Sequence, residues 1–461
     1  MRMQKATCGP DDKKLAWWQL SLVGVGCIIG TGFFLASGLA IRLTGASVLL
    51  IFIIAATGTY IVGEALGKLA AHDPQKGSFR TYAKKAFGRW AGFGSGWVYW
   101  SSEILIVGSQ LTALSIFTRF WFPNIPLWIF ASIYAFLGII IVLLGATGFE
   151  KAQNIFAITK ISAILMFIIL AIAGIAGLIN GGGEKLYIPN RTNEFFNEGF
   201  FGFWSALIFG FYAFGGIEIM GMMTPRLRKK EDARKANSVM LLLLTTIYLL
   251  SVGLAVILAA KNQFTSDESP FVVAMDHYNL AFFPHVFNGA IIIAGFSTMT
   301  ASLFAVTNMV VTLSEDGDAP KIFSKKGKLK VPSFALLLTI CGLVSSIITG
   351  LLLPDKVYEY ITTAAGLMLL YNWIFVLFAY PRLLELSGWE KVKQWGGFLL
   401  ILIAVSGTLW EKSSRPGFFI SLIFVGVIGI VLMYMQHHWK KNEKKEIEPH
   451  QMWELLDFAK K

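Results

Sequence analysis

A chain of 461 residues that is 55% hydrophobic and only 15% charged is excluded from the soluble globules, whose apolar residues are confined to stripes and alternating faces. Its formal charge of +12 sits in short loops between apolar runs, which excludes a nucleic-acid partner and points to a lipid bilayer. Three cysteines without paired spacing give neither a disulfide framework nor a metal site.

Apolar runs of the length that crosses a bilayer, about 20 residues, fall near 17–41, 46–70, 93–120, 126–147, 151–179, 199–223, 237–260, 286–313, 332–353, 357–380, 396–410 and 416–436. Lys and Arg concentrate in alternate connections. The 2–3 loop carries Lys76, Arg80, Lys84, Lys85 and Arg89, the 6–7 loop Arg226, Arg228, Lys229, Lys230, Arg234 and Lys235, and the 8–9 loop Lys321, Lys325, Lys326, Lys328 and Lys330. The bias places these loops and both termini in the cytoplasm of a multi-pass cell-membrane protein. Among the loops on the other side, 263–285 contains the apolar piece Pro270–Met275, suited to capping an external vestibule. Residues 1–14 read as an N-terminal tail, 15–383 as a ten-helix core, 384–436 as two accessory helices and 437–461 as a C-terminal tail.

Two spans are interrupted by glycine, one in each half of the core. The first reads Gly26-Cys27-Ile28-Ile29-Gly30-Thr31-Gly32-Phe33-Phe34, the second Phe211-Tyr212-Ala213-Phe214-Gly215-Gly216-Ile217-Glu218. Lipid cannot satisfy opened backbone, so such breaks must be buried in protein or line a cavity. Paired breaks in corresponding positions point to a substrate site. A helix restarting after a break offers free N–H groups and its positive dipole end, which suits a carboxylate. A helix that stops offers carbonyls, which suit an ammonium. On this reading Gly30, Thr31 and Gly32 receive an amino acid's carboxylate. The carbonyls of Cys27 and Ile28, with those around Ala213 and Phe214, face its ammonium. Phe209, Phe211, Tyr212 and Phe214 wall the side chain, beside Gly215 and Gly216. The predicted walls are aromatic and aliphatic, with no acid dedicated to a basic side chain.

The stretch from Gly30 to Gly38 resembles the broken first helix of the amino acid–polyamine–organocation superfamily. Gly77-Ser78-Phe79-Arg80-Thr81-Tyr82-Ala83, Trp90-Ala91-Gly92-Phe93 and Gly96-Trp97-Val98-Tyr99-Trp100 resemble its bacterial amino acid permease branch. So do Phe214-Gly215-Gly216-Ile217-Glu218 and, in the 8–9 loop, Ser314 to Lys321 followed by Val331-Pro332. The resemblance implies an all-α membrane protein of LeuT-like fold, with five-plus-five inverted repeats and broken helices one and six. It also implies proton-coupled amino acid uptake by alternating access, with no cofactor and no enzymatic activity. Where that branch usually shows Glu before Leu-Thr-Ala in span three, this chain has Gln110, assigned with Lys160 and Glu218 to coupling and gating.

Proton-using relatives carry a lysine at the place of Lys160, and its ammonium occupies the position of sodium in sodium-coupled ones. The other reading of Lys160 is a side chain reaching for the cytoplasmic interface. Glu218 either carries a proton or bonds to the opened backbone and holds it. Ser297, Thr298, Thr300 and Ser302 make span eight rich in hydroxyls and leave sodium open. The expected substrate is a neutral, hydrophobic amino acid, branched-chain or aromatic. The alternatives are an exchanger or polyamine carrier of the same superfamily and a sensor that binds without transporting; the oligomeric state is open.

Overall fold

The structure, a computed structural model, describes residues 14–75, 77–181, 186–188, 195–196, 199–325, 327, 331–352 and 357–458. The N-terminal tail up to residue 13 lies outside them, as do Lys76, Lys326, Lys328 and Lys330. Among the described residues seven helices are long and apolar enough to cross a membrane, with shorter apolar helices at Trp17–Ile28, Leu127–Leu143, Gly199–Ala213 and Ser333–Thr349. Two of the short ones are first halves of broken spans, and the breaks are why they fall short.

Helix α1 (Trp17–Ile28) stops where Ile29 turns extended, at φ −64° and ψ 114°. The chain bends at Gly30 and restarts in a π-helical turn, Gly32–Ala36, which runs into α2 (Ser37–Thr44). A π turn widens the helix and is common at functional sites. α3 (Val48–His72) then crosses back, and the short α4 (Ser78–Phe87) lies ahead of α5 (Arg89–Arg119). α6 (Leu127–Leu143) and α7 (Gly145–Ile175) complete the first half.

The second half repeats the plan. α8 (Gly199–Ala213) stops, the segment 214–218 turns, and α9 (Ile219–Met223) continues. Gly216 has φ +108°, a conformation that side chains rarely adopt. α10 (Ala233–Leu258), the short α11 (Pro270–Met275), α12 (Phe282–Glu315), α13 (Ser333–Leu352) and α14 (Val357–Leu383) follow. α15 (Gly388–Gly407) begins earlier than the apolar run, because Ser387 and Glu390 form a capping box: the Ser387 N–H donates to Glu390 Oε2 at 2.8 Å. α16 (Arg415–Phe458) continues past residue 436 into the segment read as a C-terminal tail.

The ends of the bundle are locked differently. At the end with the basic loops, Leu15 pairs with the strand-like segment after α9: Leu15 N–H donates to the Arg226 carbonyl at 2.8 Å, and Arg228 N–H to the Leu15 carbonyl at 2.9 Å. The fully buried Arg80 of α4 donates to Asp316 at 2.5 Å and also pairs with Asp318, which Arg89 meets at 2.9 Å. Nearby, the buried Glu64 of α3 gathers Lys68, Arg234 and Lys393, tying α15 and α10 to α3. The opposite end is closed by aromatic rings. Phe33 stacks on Tyr248 at 4.1 Å, and Phe271 of α11 packs on both Phe33 and Phe167 at about 5 Å.

Candidate functional site between the two helix breaks

The two breaks touch. A Cβ on Gly216 would stand 3.2 Å from the Ile28 side chain and 3.7 Å from the Cys27 carbonyl, and one on Gly32 would stand 3.1 Å from the Tyr212 ring. Gly30 is held as closely on the other side, where a Cβ would meet Thr298 Oγ1 at 2.7 Å. Glycine at these positions is a demand of packing as well as of backbone shape.

Between the breaks lies a cavity of about 350 Å³. Cys27, Ile28, Gly30, Thr31, Gly32, Tyr212, Gly215, Gly216, Glu218 and Gln110 all line it. It extends toward the end of the bundle that carries the basic loops, past Met222 and Met223 to Ser78 and Thr312. The aromatic closure around Phe33 and Tyr248 blocks it on the other side.

The first amide bonds after the restart run from Phe33 and Phe34 to the Gly30 carbonyl, at 3.0 and 3.1 Å. The N–H groups of Thr31 and Gly32 come before that bond and belong to the orphaned first turn of the helix. Thr31 Oγ1 is buried without a partner among the described residues. A carboxylate set against this turn would find donors there without a cationic side chain.

Phe209, Ala213 and Phe214 are not brought to the cavity. The Ala213 carbonyl accepts from Tyr248 Oη at 3.0 Å, away from the cavity lining. Phe214 packs on Tyr248 and Phe52 in the aromatic closure, and Phe211 lies against the Gly58 backbone position and Trp373. In a helix these rings point in different directions, and only Tyr212 faces inward.

Lys160 is buried on α7 just outside the cavity lining. Its Nζ donates to the Gly26 carbonyl at 2.7 Å, in the last turn before the first break. The interface-seeking orientation is thereby ruled out in this state. Glu218 bridges the second break: Oε2 accepts from the Gly216 N–H at 3.0 Å, and Oε1 from Trp373 Nε1 at 2.5 Å. Both oxygens are occupied, the arrangement expected of a brace on opened backbone. Gln110 reaches the cavity with a buried Oε1 that has no partner among the described residues.

Several lining groups are not among the amino acid site residues read from the sequence, although the hydroxyls of Thr298 and Ser302 were noted there as open to sodium. Tyr99, Glu103 and Ile106 join Gln110 on one face of α5, and Thr298, Ala301, Ser302 and Ala305 form a matching stripe on α12. Their signal was a helical spacing of small and polar residues, which also describes packed helices. Glu103 adds an acid to walls expected to carry none dedicated to a basic side chain. Among the described residues no group of three or more His, Cys, Asp or Glu side chains is placed to hold a metal.

Comparison with known proteins is consistent across sequence and structure. An "uncharacterized transporter", YcgH of Bacillus subtilis, is 55% identical, covering 92% of this chain and 95% of its own length. The aromatic amino acid transport protein AroP of Corynebacterium glutamicum is 30% identical, covering 88% and 94%. A gamma-aminobutyric acid permease of Bacillus subtilis is 26% identical, covering 94% and 95%. The manganese transporter of Eremococcus coleocola, at 12% identity, covers 94% of this chain and 97% of its own with a TM-score of 0.59, a likeness of fold alone. That fold is the LeuT-like one of the superfamily's transporters, and the protein is a membrane transporter and not an enzyme. The amino acid permease profile matches residues 19–447, and the chain belongs to that family.

Proposed function

We propose that the chain imports a neutral, hydrophobic amino acid, branched-chain or aromatic, into the cell by proton symport and alternating access. The cavity at the meeting of the two breaks carries this reading, with orphaned amides of Thr31 and Gly32 at one wall and mostly apolar side chains around the rest. Aromatic amino acid transport proteins among the relatives support an aromatic substrate. The side chains of Ile106, Met222, Met223, Phe304 and Met309 support it too, since they supply a flexible apolar wall.

The ten-helix core 15–383 does the work in the cell membrane, with 384–436 accessory and both termini cytoplasmic. The state described is then the inward-facing one, open past Met223 and closed at Phe33. Lys160 is the proton carrier, positioned to sense whether the first break is occupied through its bond to Gly26.

Counterflow of labelled amino acids in proteoliposomes tests the reading without assuming a driving ion. Exchange of leucine-like or aromatic substrates is expected. Binding of an amino acid without any exchange would instead identify a sensor.

A further inference from the structure

α5 presents Tyr99, Glu103, Ile106 and Gln110 to the cavity at successive spacings of four, three and four, a single helical face. Two acceptors on this face have room for a further donor. Gln110 Oε1 is buried with no partner among the described residues. Glu103 is 7% exposed, lies against the hydroxyls of Ser302 and Tyr99 and near the Glu218 carboxylate, and pairs with no basic side chain among the described residues. A carboxylate offers about four lone-pair sites, so two hydroxyls leave it capacity. Glu218 is committed to the second break, where its oxygens accept from the Gly216 N–H and Trp373 Nε1.

The level of Glu103 follows from its neighbours. Gly30 packs on Thr298, and Ser302 lies one turn further along α12, about 6 Å, toward the basic end. Ser302 faces Glu103. An amino acid with its carboxylate at Thr31 and Gly32 therefore has Glu103 at the far end of a long side chain directed into this half. Ile106, Ala301 and Met309 leave the space between them apolar. Apolar walls ending in an unpaired acceptor suit a ring that carries its own donor.

We infer that Glu103 makes the cytoplasmic half of the cavity a subsite for aromatic side chains ending in a hydrogen-bond donor, so that tyrosine and tryptophan bind ahead of phenylalanine. This rests on the proposed site between the breaks. Phenylalanine leaves the Glu103 carboxylate facing a ring without a donor, and a site built around a polar partner discriminates against the analogue that lacks it.

The test is inhibition of labelled tryptophan counterflow by unlabelled tyrosine, phenylalanine and lysine, using the full chain in proteoliposomes. Tyrosine is expected to inhibit about tenfold more strongly than phenylalanine. Glu103→Leu should bring that ratio to about one, while Glu103→Gln, of the same size and still an acceptor, should keep tyrosine ahead. Equal inhibition by tyrosine and phenylalanine in the wild type would overturn the inference, as would an unchanged ratio in Glu103→Leu. Lysine inhibiting more strongly than tyrosine would overturn the aromatic assignment. Absence of counterflow with every amino acid would instead overturn the permease reading beneath it.

Discussion

Lys160 Nζ donates to the Gly26 carbonyl at 2.7 Å, replacing the bond that the break denies it. In an unbroken helix that carbonyl would accept from the amide of Gly30, which here has turned away into the cavity wall. A cation on α7 thus completes the backbone of α1. Its bond depends on the shape of the break and its charge on the proton, so it is placed to couple the two.

Lys160→Ala should therefore lose accumulation on a proton gradient while substrate exchange continues, measured as gradient-driven uptake and counterflow in the same vesicles. The variant also leaves a buried carbonyl unpaired, a cost of about 1–3 kcal/mol. Normal accumulation in this variant would remove Lys160 from the coupling mechanism.

The brace at the second break predicts an asymmetry. Glu218→Gln keeps size but replaces one acceptor oxygen by a donor, which then opposes either the Gly216 N–H or Trp373 Nε1. A loss of about 1–3 kcal/mol in stability or substrate affinity is expected. Trp373→Phe should cost less, because the carboxylate keeps its bond to the Gly216 N–H. A Glu218→Gln variant with wild-type melting temperature and affinity would contradict the brace.

At Gly30 the obstacle to a side chain is Thr298, 2.7 Å from a built Cβ. Gly30→Ala should weaken binding, and Gly30→Leu should abolish it without preventing insertion. Adding Thr298→Ala to Gly30→Ala should recover part of the loss, since the clashing Oγ1 and Cγ2 are gone. A strictly additive double variant, assayed by binding, would show that the two positions do not share this contact.

The Arg80 clamp is a matter of stability. Arg80 and Asp318 are fully buried and paired, with Asp316 and Arg89 completing the group. Asp318→Ala leaves Arg80 only its half-exposed partner Asp316, and about 3 kcal/mol of destabilisation is expected, as for other broken buried pairs. Thermal unfolding in detergent reads it directly. An unchanged melting temperature would show that Asp316 alone compensates.

Much of this was legible from residues alone. Glycine clusters inside apolar runs gave the breaks, and Lys in alternate loops gave the ends of the bundle. The positions of Gly30–Gly32, Tyr212, Gly215 and Gly216 at one cavity follow from that pairing. What the sequence did not disclose was direction. Phe209, Phe211 and Phe214 look equivalent to Tyr212 in a string of aromatics, yet helical rotation sends them into packing. The Ala213 carbonyl looked free, and only the fold brings Tyr248, 35 residues later, to donate to it. Glu103 stood out only as an ionisable residue within span three, because its significance depends on Ser302 and Gln110 sharing its cavity.

The central claim is that substrate sits where the breaks meet, and Cys27 lies in that wall. In a Cys8→Ser, Cys341→Ser background its thiol is the sole target for a small methanethiosulfonate reagent. The rate of Cys27 modification, measured with and without a saturating transported amino acid, tests the claim most directly. Marked slowing by substrate is predicted. An unchanged rate at saturation would place the substrate elsewhere and contradict the account.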